Sequence, residues 1–257
     1  MRKHNRRFIT SPVGSQQQCE DLVTVILLSE NSGYRMKSYG PTPLLRLGGT
    51  TLLDTQISAI KSVFRNFELI LCCGFDSEKI VKHVRDKYNK DNIRIVENQV
   101  YQNSNGCESA RLCLNNTVND KILLCDGSLM INKELLSLIN PECSHIISST
   151  GASKNLEVGF TANARGNVEN FSYGIENTWS ESVFLNNEEV IESFRGIVSA
   201  VDYKNKFIFE ALNQLANTKH QIKVVQHEDG ALIKINNIKT YHAVRSHYEG
   251  TSTKLRD

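Results

Sequence analysis

Apolar positions along the chain alternate between two rhythms. Leu22–Leu28 (LVTVILL) is an unbroken, β-branched apolar run, the signature of a strand covered on both faces. Leu52–Phe64 then places apolar residues at helical spacing, and Glu68–Cys73 (ELILCC) is a second buried strand. Ser77 can cap a helix to about Lys87 with Ile80, Val81 and Val84 on one face. Ile93–Val96 predicts a third strand, Gly106–Leu114 a helix, and Lys121–Cys125 (KILLC) a fourth strand. A short helix from about Lys133 to Leu138 and a strand at His145–Ser148 follow. Strand–helix alternation at this spacing implies an α/β fold with a mostly parallel, doubly wound, Rossmann-like sheet. Ligands of such sheets bind beyond the carboxyl ends of the strands, here the loops after Leu28 and Cys125.

After about residue 150 the rhythm changes. Glu157–Thr161 and Val168–Tyr173 flank an Ala-Arg-Gly-Asn turn and predict an antiparallel hairpin. Ser182–Leu185, Ile222–Val225 and Leu232–Ile235 read as short strands, Tyr203–Leu215 as an amphipathic helix, and Ile238 to about Tyr248 as the last helix. This half continues the same α/β unit as antiparallel additions. The organisation expected is a basic arm over residues 1–20 and one domain over 21–257. Its two halves are expected at about 21–150 and about 151–257.

Composition narrows the classes. The 257 residues are 40% hydrophobic and 23% charged, enough for a real core. A net charge of +2 does not by itself point to a polyanion. The arm carries Arg2, Lys3, Arg6 and Arg7 without interleaved aromatics, which argues against nucleic acid as its target while leaving that partner open. Seven scattered cysteines without a CxxC pair read as reduced, buried thiols, so the expected location is cytoplasmic. No apolar run approaches the length of a membrane span. Cys72, Cys73 and Cys125 read as packing residues. His242 and His247, five residues apart on one helix, are poorly spaced for a shared metal. Trp179 lies in a polar stretch, equally suited to covering a substrate or packing at a rim. A P-loop is missing.

The segment Leu27–Gly49 (LLSENSGYRMKSYGPTPLLRLGG) carries the chemistry. A Ser/Asn/Gly loop directly after a buried strand exposes backbone N–H groups that can cradle phosphate. Arg35 adds a planar donor fork suited to the same group. The whole ordered segment resembles the opening of the sugar-phosphate and choline-phosphate nucleotidyltransferases, a family with a GT-A-like fold. Leu28-Ser29-Glu30-Asn31-Ser32-Gly33-Tyr34-Arg35-Met36 stands in the family's L-A-A-G-x-G-x-R-M, and Pro41-Thr42-Pro43-Leu44-Leu45 in its P-K-P-L-L. Gly48, Gly49, Leu52 and Leu53 follow in step.

The resemblance implies nucleotide contacts from Leu28, Ser29, Asn31, Ser32, Gly33, Arg35, Thr42, Asn105 and Ser109. The last two belong to Asn105–Ala110, which matches an N-N-x-x-S-L stretch of the choline-phosphate branch. It implies a Mg²⁺ cofactor held by Asp126, at the end of the fourth strand, and by Asn236, which stands in an I-D-T stretch. Phe194–Ile197 resembles a late strand, with Gly196 at the acceptor site. Catalytic candidates are Arg35, Lys37 and Asp126. The activity implied is transfer of a nucleotidyl group from an NTP, CTP by the choline-like stretch, to a small phosphorylated acceptor of the sugar-, polyol- or choline-phosphate type. Pyrophosphate is released, and a homo-oligomer is left open.

Three departures matter. Asn31 replaces a loop glycine, Thr42 the lysine of P-K-P, and Asn236 a carboxylate. Lys37 is the nearest substitute cation in sequence, and Glu228 and Asp229 are the nearest carboxylates upstream of the Leu232–Ile235 run. The alternative that these losses imply is a catalytically impaired descendant acting as a binding or regulatory module. A nucleotide-sugar glycosyltransferase would want Asp-x-Asp, which Asp126-Gly127-Ser128 does not provide.

Overall fold

A computed structural model describes residues 22–149, 157–175, 177–227 and 233–253. The arm, Glu228 and Asp229 lie outside the described residues. In chain order the strands are β1 (Val23–Ser29), β2 (Arg46–Leu47), β3 (Thr50–Thr51), β4 (Phe67–Cys73), β5 (Ile93–Glu97), β6 (Ile122–Asp126), β7 (His145–Ser149), β8 (Val158–Ala162), β9 (Val168–Tyr173), β10 (Asn177–Leu185) and β11 (Lys223–His227). The helices are α1 (Leu52–Val63), α2 (Ser77–Tyr88), α3 (Gly106–Leu114), α4 (Lys133–Leu136), α5 (Glu188–Ser199), α6 (Ile208–Ala216) and α7 (Ile238–Thr253).

Nine strands form one sheet with the path β11-β7-β10-β6-β1-β4-β5, and the β8–β9 hairpin branches from β10. β1 pairs in parallel with β4 on one side and β6 on the other. The chain therefore winds outward through β4 and β5, then returns past β1 to β6. That reversal opens a crevice at the carboxyl ends of β1 and β6, where open α/β sheets bind ligands. β10 runs antiparallel between β6 and β7, and β7 pairs in parallel with β11. The sheet is thus mostly parallel with antiparallel additions from the second half, as the alternation predicts.

Period-two alternation sorts side chains onto two faces. Ile26, Ile70, Cys72 and Leu124 face a core built with α3, α5 and α6. Val25, Leu27, Leu69, Leu71, Cys73 and Cys125 face the other, with α1 and α4. The cysteines at 72 and 73 are therefore packing residues of opposite layers. Burial pushes the Cys73 and Cys125 thiols well up, which leaves them unreactive.

A third, smaller core fixes the first loop. Met36, Leu45, Leu47 and Leu52 pack with Ile235, Tyr241 and Val244 of the last segment. α1 starts on a reciprocal cap: Thr51 Oγ1 accepts from Asp54 N at 3.2 Å, and Asp54 Oδ2 accepts from Thr51 N at 3.1 Å.

Three expectations need correction. Phe194–Ile197 is the middle of helix α5, not a strand. Its Asn187 cap and the buried Val190, Ile191, Phe194 and Val198 follow a helical stripe. The Leu232–Ile235 run is likewise no strand in its described part: Lys234 makes an isolated bridge to Leu129. The Tyr203–Leu215 helix begins later, at Ile208, after a separate 3-10 turn at Val201–Tyr203.

Candidate active site

A cleft of about 560 Å³ opens at the crevice between β1 and β6. Leu28, Ser29, Asn31, Ser32, Gly33, Thr42, Asn105, Asp126 and Asn236 all line it, so most of the candidates from distant sequence positions converge. Four do not. Arg35 is exposed and stacks its guanidinium over the Tyr34 ring, 5.0 Å from the centroid. Lys37 is exposed in the short 3-10 turn beyond it. Ser109 is fully buried behind the cleft, accepting from Asn98 Nδ2 at 3.0 Å. Gly196 lies on α5, outside the cleft lining.

The loop after β1 is held from two sides. Tyr34 N donates to Asn236 O at 2.9 Å, tying it to the segment that enters α7. Thr42 Oγ1 donates to Asn31 O at 3.2 Å, so the residue at the family's lysine position buttresses the loop from a buried site. Gly33 is required by close approach. A Cβ there would lie 2.6 Å from Met36 Sδ and 3.0 Å from Asn236 O.

Asp126 ends β6 and is fixed by the turn that follows. Its Oδ1 accepts from Ser128 N at 2.7 Å and from Ser128 Oγ at 2.6 Å. Gly127 lets this turn lie against β1, because a Cβ there would fall 1.7 Å from Ser29 Oγ. The turn also recruits the 233–235 segment: Met130 N donates to Ile233 O, and Ile235 N to Ser128 O, each at 2.8 Å. Lys234 is carried in with it, its Nζ 3.7 Å from Asp126 Oδ2 and in contact with Glu181 Oε1.

Glu181 and Lys234 were missed by sequence reading. Glu181 sits where the register of β10 against β7 shifts between Trp179 and Val183. Its φ is 57°, a left-handed conformation rare outside glycine. Trp179 Nε1 bridges to Ser182 O at 2.8 Å, and the Ser180 and Ser182 hydroxyls pair at 2.5 Å, which locks the bulge. The bulge turns the Glu181 carboxylate into the cleft.

The electrostatics are lopsided. Among the described residues the cleft lining contains four carboxylates, Glu30, Asp126, Glu157 and Glu181, against one cation, Lys234. Partial burial and the neighbouring Asp126 push Glu181 up to about 7. Burial opposes ionisation of Asp126 too, but the Lys234 ammonium and the Ser128 hydrogen bonds hold it below the ordinary carboxylate range. Glu30 is pushed up to about 7, chiefly by burial, with Asp126 adding to the effect. Its Oε2 and the Ser29 Oγ, both buried, find no hydrogen-bond partner among the described residues. A divalent cation would meet hard oxygen donors here. No three acidic, His or Cys side chains converge among the described residues. Mg²⁺, however, is commonly held by one or two carboxylates plus substrate phosphates. Asp126 and its neighbours fit that mode.

The far wall is aromatic. Phe207 and Phe209 stack with centroids 5.8 Å apart, and Tyr173 meets Phe209 edge-on at 5.5 Å. All three line the cleft, together with Glu157. No helix among the described residues is long and apolar enough to cross a membrane.

No family model and no curated protein sequence matches this chain. Solved structures do match in fold. CTP:phosphocholine cytidylyltransferase from Streptococcus pneumoniae superposes with a TM-score of 0.72 at 15% identity, covering 88% of this chain and 98% of its own. The inositol-1-phosphate CTP transferase of T. maritima gives 0.69 at 16% identity, covering 88% and 96%. A UDP-glucose pyrophosphorylase gives 0.68 at 13%, covering 90% and 100%. The chain therefore has the fold of the NTP-transferase proteins.

Proposed function

We propose that the protein is a nucleotidyltransferase that moves a nucleotidyl group from an NTP to a small phosphorylated acceptor. An acceptor phosphate oxygen attacks the α-phosphorus, the bond to the bridging oxygen breaks, and pyrophosphate leaves. The observation that carries this reading is the convergence of the Ser29–Gly33 loop, Asp126 and Lys234 on one cleft at the switch point of the sheet. The Ser29–Gly33 loop offers backbone donors to phosphate oxygens, and Asn105, whose own N–H is spent on Lys204 O, lines the cleft at the N-terminus of α3. Lys234 takes over the charge neutralisation that Thr42 cannot give. Asp126 would hold Mg²⁺ together with the phosphates, and the ion would supply positive charge in a cleft lined by four carboxylates. The Tyr173–Phe207–Phe209 wall beside Glu157 suits an acceptor bearing a cationic group, the choline-phosphate class, and CTP is the preferred nucleotide on the same footing.

A second reading is favoured by Thr42, whose hydroxyl is committed to Asn31 O. It is a nucleotide-binding module without turnover. Calorimetric titration with ATP, CTP, GTP and UTP, with and without Mg²⁺, followed by pyrophosphate release with candidate acceptors, separates the two. The enzyme reading expects Mg²⁺-dependent NTP binding that Asp126→Ala abolishes, together with release of pyrophosphate. Binding without any release supports the module. No binding at millimolar nucleotide sinks both.

A further inference from the structure

The resemblance leaves the site one carboxylate short, because Asn236 stands at an acidic position. Its side chain is engaged locally, with Oδ1 accepting from Asn237 Nδ2 at 2.9 Å, and its backbone oxygen holds Tyr34. We propose that Glu181 supplies the missing carboxylate, so that Asp126 and Glu181 together hold the divalent cation. This rests on the reading of the cleft as a nucleotide site.

Geometry argues for it in three steps. Glu181 and Asp126 come from adjacent strands, β10 and β6, and both meet the same ammonium, that of Lys234. Two carboxylates brought to one cation, at the carboxyl end of the central strands, form an oxygen-rich pair that Lys234 neutralises when no metal is present. Next, Ser29 and Glu30 are lining residues of the same cleft, each more than nine-tenths buried, and the Ser29 hydroxyl and Glu30 Oε2 behind that lining have no hydrogen-bond partner among the described residues. Unpaired buried polar atoms are costly, and such atoms at the edge of an oxygen cluster are accounted for by a bound ion with its water shell. Finally, Glu181 occupies a backbone conformation that glycine would adopt freely, within a bulge braced by Trp179, Ser180 and Ser182. A surface ion pair with Lys234 would not need that arrangement; aiming a carboxylate at Asp126 does. Lys234 then acts as a counter-ion displaced toward the phosphates when the cation arrives.

The test is Mn²⁺ binding to the full chain, followed by the electron paramagnetic resonance of the free ion, with and without CTP, and with ATP, GTP and UTP in parallel. Trp179, the single tryptophan and part of the cleft wall, reports nucleotide binding by its fluorescence in the same samples. Glu181→Gln is expected to weaken Mn²⁺ binding by at least about tenfold and Asp126→Asn to abolish it, as loss of a ligand should. Nucleotide affinity measured without metal is expected to change little in Glu181→Gln. Should Glu181→Gln fail to fold, Glu181→Gly, which suits the backbone, replaces it. Mn²⁺ affinity within twofold of wild type in the Glu181 variant, with Asp126→Asn still defective, overturns the inference and leaves the nucleotide site standing. Nucleotide binding with no Mn²⁺ bound by the wild type does the same. Glu181-dependent Mn²⁺ binding with no nucleotide bound supports the metal pair and removes the nucleotide reading. Neither ligand bound overturns both.

Discussion

Replacing Glu181 by glycine and by alanine separates backbone strain from side-chain chemistry. At an ordinary strand position alanine is more stable than glycine by about 0.5–1 kcal/mol, since glycine loses more freedom on folding. At a φ of 57° the order reverses, because a Cβ costs roughly 1–2 kcal/mol in the left-handed region. The difference predicts Glu181→Gly more stable than Glu181→Ala by about 0.5–1 kcal/mol. Both variants lose the contact with Lys234, whose side chain is 21% exposed, and Glu181's is 31% exposed. Solvent discounts that pair to about 1 kcal/mol or less. Both also relieve Asp126 of a neighbouring carboxylate. Glu181→Gly should therefore match or exceed wild-type stability, while Glu181→Ala falls at or below it. Urea unfolding followed by far-ultraviolet circular dichroism, with equal slopes in all three proteins, measures this. Alanine as stable as glycine, or more so, would refute the strain argument and remove the backbone cost that Glu181 is argued to bear for its role.

Two further outcomes follow from buried carboxylates. Glu30, raised from 4.5 to about 7, keeps a proton in the folded protein that the unfolded chain gives up. Stability attributable to it is full below about pH 4.5, falls as pH rises toward 7, and is flat above, with an upper bound of about 3 kcal/mol. Glu30→Gln should thus stabilise the protein at pH 8 and do little at pH 5; equal effects at both, in thermal unfolding, would contradict it. Asp54 behaves oppositely. Burial pushes its carboxyl up, yet Lys87, Tyr88, His83 and the Thr51 amide together hold it well below the usual range. Its contribution is present above about pH 4 and is lost as pH falls further. Asp54→Asn should cost about 2–3 kcal/mol at pH 7, from the cap and the charged hydrogen bonds, and progressively less as pH falls below about 4. A pH-independent cost in urea titrations would show that the charge is not what matters.

The architecture was legible because buried parallel strands announce themselves. Val23–Ser29 and Phe67–Cys73 are buried on both faces, and no helix among the described residues reads that way. The loop and the end of β6 were legible for a related reason: a doubly wound sheet fixes where its strands end, so Ser29 and Asp126 could be matched before any coordinates. The error at Phe194–Ile197 had a local remedy. Asn187 followed by Glu188, Glu189 and an apolar stripe is a helix start, a local signal stronger than the resemblance of Phe194–Ile197 to a strand. Arg35 was placed by its motif position and Lys37 by proximity in sequence, and neither the left-handed φ of Arg35 nor its stacking on Tyr34 is encoded in the motif.

Glu181 and Lys234 escaped for a deeper reason. A bulge is a property of a strand pair and appears in neither strand alone. Trp-Ser-Glu-Ser reads as a polar approach to a strand that starts at Ser182, whereas β10 starts five residues earlier and carries an extra residue into the cleft. Lys234 looks like one outward position of a short strand, and only the hydrogen bonds from Met130 and Ile235 turn it inward beside Asp126. Taken with the proposed metal pair, the departures at 42 and 236 then have counterparts. A cation is absent at Thr42 and present at Lys234; a carboxylate is absent at Asn236 and present at Glu181. A cleft that must hold a polyanion and a divalent cation constrains its sum of charges more tightly than their addresses. A reading confined to motif positions registers both losses and, by construction, neither gain.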